Sequence, residues 1–339
     1  MTARVLVTGG AGFIGSHYVR TLLGPDGAGD VTVTVLDRLT YAGNAANLVP
    51  VRDRPGFRFV RGDICDRELV SALVRGHDEI VHFAAESHVD RSIAGGAEFA
   101  RTNVLGTQTL VEAACDAGLR RFVQVSTDEV YGSIAEGSWT EESPLAPRSP
   151  YSGSKAAGDL IALAYHRTHG LDVRITRCTN NYGPYHHPEK MIPLFVTNLL
   201  AGRPVPLYGD GMHVRDWLHV DDHVQGIELV RRHGRAGEVY HIGGGTELPN
   251  RELTRMLLDA CVADWDEHVV SVPDRKGHDR RYSLDWSKIR DELGYSPRVP
   301  LDRGLVETVR WFRDNRAWWE PLKRATAIPA EDRRSRSAV

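Results

Sequence analysis

Two carboxylates stand side by side where an apolar run of the sequence ends. The segment VQVSTDEVYG, residues 123–132, passes from β-branched residues through Ser126 and Thr127 to Asp128 and Glu129. Two close carboxyl groups favour one charged and one neutral form, because like charge and burial raise one of the two pKa values. Such a pair could serve as base and acid on neighbouring atoms of a substrate. Solvated loop carboxylates or a helix cap are the alternative, and the residues alone do not assign the two tasks.

A tyrosine and a lysine four residues apart form a second candidate for proton transfer. Tyr151 and Lys155, in SPYSGSKAAGD, fall near the start of a predicted helix, and this spacing places both side chains on one face. The ammonium is expected to lower the pKa of the phenol from its usual value of about 10, so that the tyrosine can act near neutrality. An aromatic–cation contact on an amphipathic helix would give the same spacing.

A glycine-rich turn near the N-terminus predicts a dinucleotide site. In VLVTGGAGFIGS, Gly10, Gly12 and Gly15 match G-x-G-x-x-G, and the alternative set with Gly9 in first place matches G-x-x-G-x-x-G. Glycines allow a tight turn and let the backbone approach a pyrophosphate at the helix N-terminus. A glycine turn without a ligand is the alternative, but a strand before the motif and a helix after it favour the nucleotide.

Acidic residues close the next two predicted strands. Asp37 ends VTVTVLD, where a carboxylate can bind the adenosine ribose hydroxyls and would repel a 2′-phosphate. This favours NAD over NADP, although the neighbouring Arg38 weakens the distinction. Asp63, in RGDICD, would suit the adenine edge, but an N-cap or a surface turn would use an aspartate equally well.

The elements that must position these residues alternate between strands and helices. The predicted strands are Val5–Val7, Val31–Leu36, Phe57–Val60, Ile80–Phe83, Phe122–Val125 and Val173–Thr176. The predicted helices are Phe13–Leu23, Leu69–Val74, Asn103–Ala117, Ser152–Thr168, Asn250–Val262 and Leu301–Phe312. Strand–helix alternation predicts an α/β fold with a Rossmann-like, doubly wound parallel sheet. Such sheets bind ligands beyond the carboxyl ends of their strands.

After Thr176 the pattern becomes irregular and predicts a smaller, mixed α/β lobe that binds the substrate. We expect residues 1–179 with about 216–243 to form the NAD-binding domain, and residues 180–215 with about 244–324 to form the smaller lobe. Residues 325–339 lack apolar periodicity and are expected to form a flexible tail.

Composition excludes several classes of function. The chain has 41% hydrophobic and 26% charged residues and a net charge of −3, which is typical of a soluble globular protein and favours neither nucleic acid nor membrane as a partner. Its four cysteines are far apart, so neither a metal site nor a disulfide framework is expected and a cytoplasmic location is favoured. The sequence has no apolar run long enough to span a membrane, and the first strand begins too early to leave room for a signal peptide.

These motifs together resemble a known family. The glycine motif, the Tyr151/Lys155 pair and NNYGP resemble the extended short-chain dehydrogenase/reductase superfamily. Within it, the chain is similar to the dTDP-glucose 4,6-dehydratases in FAAESHVDRSI, STDEVYG, NNYGPYHHPEK, YGDGMHVRDWLHVDDH and DRKGHDRRYSLD. The resemblance extends from Val5 to about Trp319. Thr179 and Met191 depart from the residues expected there, which bears on fine substrate preference.

The resemblance implies a hydro-lyase reaction on dTDP-glucose with tightly bound NAD that is regenerated in each turnover. Tyr151 would take the proton of the 4-hydroxyl while NAD accepts hydride from carbon 4, and the new ketone would acidify the proton on carbon 5. Glu129 is then implied as the base at carbon 5, Asp128 as the acid for the departing 6-hydroxyl and Thr127 as a partner of the 4-hydroxyl. Hydride return to carbon 6 would give dTDP-4-keto-6-deoxyglucose.

The resemblance also implies binding residues. Besides Tyr151 and Lys155, the cofactor contacts would be Gly9, Gly12, Phe13, Ile14, Gly15, Asp37, Leu39, Thr40, Asp63, Ile64, Phe83, Ala84, Ala85, Thr102 and Asn181. The substrate contacts would be Ser87, Thr127, Asn180, Lys190, Met191, Pro206, Tyr208, Arg215, Asn250, Arg275 and His278. Arginines suit a diphosphate because they can engage it bidentately.

The family resemblance also implies a homodimer joined through the helices Asn103–Ala117 and Ser152–Thr168.

The motifs are compatible with other functions as well. A nucleotide-sugar 4-epimerase or decarboxylase would also need NAD and the Tyr/Lys pair, but not an acid and base for loss of water. A non-catalytic NAD or nucleotide-sugar sensor would need none of the four catalytic candidates.

Overall fold

A computed structural model describes residues 2–24 and 31–326 of the chain. Apart from the helical backbone at positions 325 and 326, the tail expected at residues 325–339 lies outside the described residues. No helix within the described ranges is long and apolar enough to cross a membrane.

The strands belong to one large sheet and two small ones. In chain order they are β1 (Ala3–Thr8), β2 (Val31–Asp37), β3 (Phe57–Arg61), β4 (Glu79–His82), β5 (Arg121–Thr127), β6 (Val173–Cys178), β7 (Asn180–Tyr182), β8 (Val205–Tyr208), β9 (Val214–His219), β10 (Val239–Ile242), β11 (Glu247–Pro249) and β12 (Val269–Val272). The large sheet has the order β10-β6-β5-β4-β1-β2-β3, and every neighbouring pair in it is parallel. The predicted doubly wound parallel sheet is therefore confirmed.

Helices connect these strands. They are α1 (Phe13–Leu23), α2 (Arg67–Val74), α3 (Val89–Ala94), α4 (Ala97–Phe99), α5 (Thr107–Asp116), α6 (Pro150–His169), α7 (Met191–Leu199), α8 (Val220–His233), α9 (Asn250–Cys261), α10 (Trp265–His268), α11 (Ser287–Leu293), α12 (Leu301–Asp314) and α13 (Arg316–Thr326). Two 3-10 segments, Ala45–Val51 and Asp128–Tyr131, and a π-helical segment, Ala100–Gly106, complete the pattern.

The inner strands of the large sheet are buried on both faces, whereas the edge strand β3 is only partly covered. Alternate residues of β1 point to opposite cores: Val5 and Val7 pack with residues of α1 and α8, whereas Leu6 packs with residues of α2, α5 and α6. Continuous apolar strands are expected when helices cover both faces of a parallel sheet. Polar groups that could bind a ligand are then expected beyond the carboxyl ends of the strands.

The strand order places the ligand-binding edge. From β1 the chain proceeds to β2 and β3 on one side, whereas β4 lies on the other side of β1. Such a reversal leaves a crevice beyond the carboxyl ends of the strands, the usual ligand site of open α/β sheets. The ends of β1, β4, β5 and β6 all face this crevice.

The smaller lobe has its own core. The three-stranded sheet β11-β9-β7 and the pair β12-β8 accompany α7, α9 and α12, whose apolar residues form one cluster that includes Phe195, Leu257 and Phe312. This lobe stands beside the carboxyl edge of the large sheet because β7 directly follows β6.

The helix predicted from Asn103 differs at its start. The segment Ala100–Gly106 is π-helical and α5 begins only at Thr107. The Asn103 side chain accepts from Glu86 N (2.9 Å) and donates to Glu86 O (3.0 Å) and Ser154 Oγ (2.8 Å). A π segment often marks a functional site, and here Asn103 fastens the chain after β4 to α6.

The helix that carries Tyr151 and Lys155 has a strong N-terminal signal. Ser149 is the N-cap of α6: its Oγ accepts from Ser152 N (3.0 Å), and Ser152 Oγ accepts from Ser149 N (3.0 Å). Pro150 occupies the first helical position, where its missing N–H costs nothing. This reciprocal capping fixes where the helix starts.

Replacing the cap should weaken the fold measurably. We expect Ser149→Ala to lower the free energy of unfolding by about 1 kcal/mol, because it leaves donors of the first turn of α6 unsatisfied. Urea unfolding of both proteins measures the difference. The exposed loop substitution Glu136→Ala is the control and should change stability by less than about 0.5 kcal/mol. Equal stability of Ser149→Ala and the wild type would contradict the role of this cap.

Candidate active site

A cleft at the carboxyl edge of the large sheet brings most of the predicted site residues together. All five predicted catalytic residues line it: Thr127, Asp128, Glu129, Tyr151 and Lys155. So do all the predicted cofactor residues except Leu39, and the predicted substrate residues Ser87, Asn180, Lys190 and Met191. The cleft therefore joins a nucleotide half and a catalytic half.

The remaining predicted residues are not part of this lining. Leu39, at φ +58°, packs against the core beside α1. The other six belong to the smaller lobe: Pro206, Tyr208, Arg215, Asn250, Arg275 and His278. The charges of Arg215 and Arg275 nevertheless act to lower the pKa of Glu129.

The glycine turn has room for backbone only. A Cβ added at Gly9, whose φ is +71°, would lie 2.5 Å from Ala84 N, and one added at Gly15 would lie 2.4 Å from Gly9 O. The turn is closed by a hydrogen bond from Gly12 N to Gly9 O (3.1 Å). A cradle that excludes even a methyl group fits a pyrophosphate held by backbone amides, so the residues present fit NAD.

An aromatic stack covers the glycine turn. The ring of Phe13, the first residue of α1, stacks on His186 with centroids 4.2 Å apart and planes 11° apart. His186 belongs to the loop that follows β7, so the smaller lobe contacts the nucleotide half directly. Burial lowers the pKa of His186 well below its usual value, and the ring is neutral at physiological pH.

The two acids at the strand ends have different surroundings. Asp37 Oδ2 accepts from Ala11 N (2.9 Å) and Oδ1 from Leu39 N (2.8 Å), and burial raises the pKa of this carboxyl. The carboxylate of Asp63 binds both Arg38 (3.2 Å) and Arg101 (2.8 Å). Asp63 thus pairs with Arg38, so Arg38 is less able to attract the 2′-phosphate of NADP.

Tyr151 and Lys155 occupy one face of α6, but our expectation for the phenol was wrong. Burial, followed by the charge of Glu129, raises the pKa of Tyr151 well above its usual value. Lys155 Nζ donates to the carbonyl oxygen of Val125 on β5 (2.7 Å), and burial lowers the pKa of the ammonium. The spacing alone could not reveal that the ammonium is directed at the backbone.

The two carboxylates follow β5 in a 3-10 turn. Thr127 caps this turn by accepting from Glu129 N (3.3 Å), and its Oγ1 also donates to Asp128 Oδ1 (3.1 Å). Asp128 is 3% exposed, and its Oδ2 has no hydrogen-bond partner among the described residues. Asp128 lines the cleft, so a ligand bound there could supply the missing hydrogen-bond partner.

The two carboxyl groups differ in their electrostatic surroundings. Burial and then the charge of Glu129 raise the pKa of Asp128 well above its usual value. Burial also raises the pKa of Glu129, but three cations oppose this rise: Arg275, Lys190 and Arg215. Cations of the smaller lobe therefore favour the charged form of Glu129, whereas burial and the charge of Glu129 outweigh Arg215 at Asp128 and favour its neutral form.

Several lining residues were not predicted from the sequence. They are Leu36, Ala42, Gly43, Gly62, Glu86, Val125, Ser126, Cys178, His186, His187, Glu189, Ile192 and Trp217. Ser126 and Cys178 could have been found, since they stand at strand ends where ligands of parallel sheets bind. His186, His187 and Glu189 depend on how the loop after β7 folds back, for which the sequence carries no periodic signal.

One cluster in the smaller lobe has the composition of a metal site. Ligand atoms of His213, Asp274 and His278 lie within 4.8 Å of one another. The two imidazoles stack with centroids 3.6 Å apart, and each lies near a different oxygen of Asp274, at 3.2 and 2.6 Å. Nearly parallel rings do not converge on one point, so the carboxylate serves as the common partner of both histidines.

Comparisons with known proteins agree with this geometry. The sequence model of the GDP-mannose 4,6 dehydratase family matches residues 6–308. The chain is 65% identical over 333 residues to a dTDP-glucose 4,6-dehydratase of Streptomyces niveus, covering 97% of this chain and 99% of that protein. It is 62% identical over 330 residues to a dTDP-glucose 4,6-dehydratase of Streptomyces griseus, covering 97% and 100%.

Solved structures give the same picture. The dTDP-glucose 4,6-dehydratase of Streptomyces venezuelae, with NAD and TDP bound, superposes with a TM-score of 0.92 at 67% identity, covering 94% of this chain and 99% of that one. A UDP-glucose 4-epimerase of Thermotoga maritima superposes at 0.84 with 32% identity, covering 92% and 99%. On these identities and coverages, this chain belongs to the dTDP-glucose 4,6-dehydratase family.

Proposed function

We propose that the protein is a hydro-lyase that uses NAD to convert dTDP-glucose to dTDP-4-keto-6-deoxyglucose. The observation that carries this function is the buried Asp128/Glu129 pair, in one cleft with Tyr151 and Lys155 beside a glycine turn fitted to a dinucleotide. Oxidation at a sugar carbon needs only the tyrosine, the lysine and NAD. Loss of water needs an acid and a base in addition.

NAD would lie along the first half of the cleft. The backbone of Gly9, Gly12 and Gly15 would hold its pyrophosphate, and Asp37 would face the adenosine ribose. When bound, NAD supplies a cationic hydride acceptor, so that oxidation at carbon 4 and reduction at carbon 6 balance within one turnover.

Tyr151 is proposed as the group that takes the proton of the 4-hydroxyl. The surrounding protein raises the pKa of the phenol and favours its protonated form, so a positive charge from bound NAD would have to favour the phenolate. Lys155, on the same face of the helix, would bind the ribose and place a positive charge near the phenol. Thr127, at the end of β5, would bind the 4-hydroxyl.

Asp128 and Glu129 are proposed as acid and base. The raised pKa of Asp128 favours a protonated carboxyl. Its Oδ2 has no hydrogen-bond partner among the described residues, so the carboxyl proton would be donated to the departing 6-hydroxyl. Glu129, kept nearer its charged form by three cations, would take the proton from carbon 5. The electrostatic difference supports an assignment that the sequence left open.

The smaller lobe is proposed to bind the nucleotide diphosphate. Its cations Lys190, Arg215 and Arg275 act on the charge of Glu129, and an anionic diphosphate would be attracted to them. Ser87, Asn180 and Met191 line the adjoining cleft. We propose two domains, an NAD-binding domain of residues 1–179 and about 216–243 and a smaller lobe of residues 180–215 and about 244–324. This division is supported by α8 and β10, which return the chain from the smaller lobe to the large sheet.

The rival functions explain less of the site. A 4-epimerase shares the fold and would share the Tyr/Lys pair, but epimerisation through a 4-keto sugar requires no loss of water. A decarboxylase likewise needs no donor to a leaving hydroxyl. A sensor of nucleotide sugars would gain nothing from burying two adjacent carboxylates, since such burial costs stability.

Assembly and location are proposed on narrower grounds. We propose a homodimer through the α5 and α6 helices, as the family resemblance implies; such a dimer would cover Leu105 beside α5 and Leu160 on α6, which are 53% and 57% exposed. Light scattering in solution measures the mass. A cytoplasmic location is proposed because the four cysteines are all free thiols.

The reaction should leave an isotopic mark. With NAD and dTDP-glucose in deuterated water, we expect one solvent deuterium at carbon 5 of the 4-keto-6-deoxy product, because the base removes that proton before hydride returns to carbon 6. Mass spectrometry and NMR of the product locate the label. Turnover to a 4-epimer without deuterium at carbon 5 would overturn the dehydratase assignment.

Removing the base should separate the two chemical stages. We expect Glu129→Gln to oxidise carbon 4 but to form product at least about 100-fold more slowly, since general bases contribute 10²–10⁴-fold. Rapid mixing monitors oxidation through the near-ultraviolet absorbance of reduced nicotinamide, and chromatography measures product. Dehydration at the wild-type rate by this variant would show that Glu129 is not the base.

The raised pKa of Asp128 has a consequence for stability. Because its folded pKa lies above the unfolded value, this carboxyl stabilises the fold at low pH, and the contribution is lost as pH rises towards the folded pKa. We expect Asp128→Asn to gain stability over the wild type as pH rises above about 4, by at least about 1 kcal/mol at neutral pH. Thermal unfolding at constant excess NAD measures this difference.

The control for this experiment is the exposed Asp116→Asn on α5. It should show no growing difference from the wild type over the same pH range. A difference between Asp128→Asn and the wild type that is constant with pH would contradict a raised pKa at Asp128.

A further inference from the structure

A chain of buried hydrogen bonds joins α6 to the turn that carries the two carboxylates. Its centre is Arg177 on β6, which is 3% exposed. Arg177 Nε donates to Asp159 Oδ2 (3.0 Å), and Arg177 Nη1 donates to the hydroxyl oxygen of Tyr131. Asp159 lies one helical turn beyond Lys155, and Tyr131 closes the 3-10 segment that begins at Asp128.

The directions of these hydrogen bonds follow from the chemistry of the groups. His241 Nδ1 lies 2.8 Å from the carbonyl oxygen of Asp285, which can only accept, so Nδ1 carries the proton. Its Nε2 is then an acceptor for the Tyr131 hydroxyl at 2.7 Å. Burial lowers the pKa of His241 to about 3 and raises that of Tyr131 to about 12, so both groups are neutral in this arrangement.

The Tyr131 ring is held independently of its hydroxyl. It stacks on Trp139 with centroids 5.9 Å apart and planes 22° apart, and the guanidinium carbon of Arg177 lies 4.9 Å from its centroid. Tyr131 is 1% exposed and packs in one cluster with Ala156, the residue after Lys155. Removing the hydroxyl alone would therefore leave the packing and remove the directional tether.

We propose that Tyr131, Arg177 and Asp159 are positioning residues that fix the acid–base turn relative to the helix carrying Tyr151 and Lys155. This rests on the proposed function, in which the ketone formed beside Tyr151 and Lys155 must already lie within reach of the base Glu129 and the acid Asp128. The two pairs belong to different elements, and no hydrogen bond links them directly in the described chain. Arg177 bridges them because β6 pairs with β5 in register, Arg177 opposite Ser126.

The physical requirement is a matter of distance. A shift of about 1 Å in a reacting group can cost about 100-fold in rate. The short 3-10 turn ends in Gly132 at φ +77° and is held in place by its buried side chains Val130 and Tyr131. Oxidation depends on α6 and the cofactor half of the cleft. Elimination depends on the turn as well, so a loosened turn should affect the second stage more than the first.

Tyr131→Phe tests this inference because it removes only the hydroxyl. In single-turnover mixing with dTDP-glucose, we expect the rate of oxidation at carbon 4 to stay within about 3-fold of the wild type, while elimination slows at least about 10-fold. Reduced nicotinamide should then accumulate, and deuterium incorporation at carbon 5 should lag behind it. Thermal unfolding verifies that the variant is folded at the assay temperature.

A matched control exists on β10. Tyr240 is also fully buried, and its hydroxyl likewise accepts one bond, from Arg235 N (3.0 Å), and donates one, to Glu292 (3.0 Å). Tyr240→Phe should leave the ratio of the two rates unchanged. Equal slowing of both stages in Tyr131→Phe, or no slowing of either, would overturn the positioning role while the wild-type reaction still supports the proposed function. A wild type that forms no dehydrated product would instead overturn the function itself.

Discussion

The site depends on the burial of two adjacent carboxyl groups at the end of an interior strand. Removing a carboxylate from water is costly unless it is paired, hydrogen-bonded or protonated. At Asp128, burial and a neighbouring charge raise the pKa, which favours the protonated carboxyl. At Glu129, three cations of the smaller lobe oppose the rise in pKa that burial causes. The same burial thus acts on two adjacent carboxyl groups whose surrounding charges differ.

This division of charge requires both lobes. The large sheet supplies β5, whose end places the pair beside α6, and the smaller lobe supplies the cations and the loop that stacks His186 on Phe13. An open sheet without that lobe would leave Glu129 and Asp128 in more similar, wetter surroundings. The same cations would meet an incoming diphosphate, so binding and acid–base chemistry share their electrostatics.

The parts of the structure that the sequence predicted are those governed by local pattern. Strand–helix alternation predicted the parallel sheet, and the glycine spacing predicted a turn whose Gly9 and Gly15 indeed admit no Cβ. The pKa of Tyr151 was predicted in the wrong direction, because burial comes from segments distant in sequence. The tether from Tyr131 through Arg177 to Asp159 was not predicted either, since its neighbouring members are 46 and 18 positions apart.

The central claim is that Asp128 stays protonated at a pH where Glu129 is charged. Carboxyl-carbon NMR titration of the ¹³C-labelled, NAD-loaded protein tests it most directly, with Asp128→Asn and Glu129→Gln used to assign the two resonances. The account predicts that the Asp128 resonance titrates at higher pH than that of Glu129. Titration in the reverse order would contradict it.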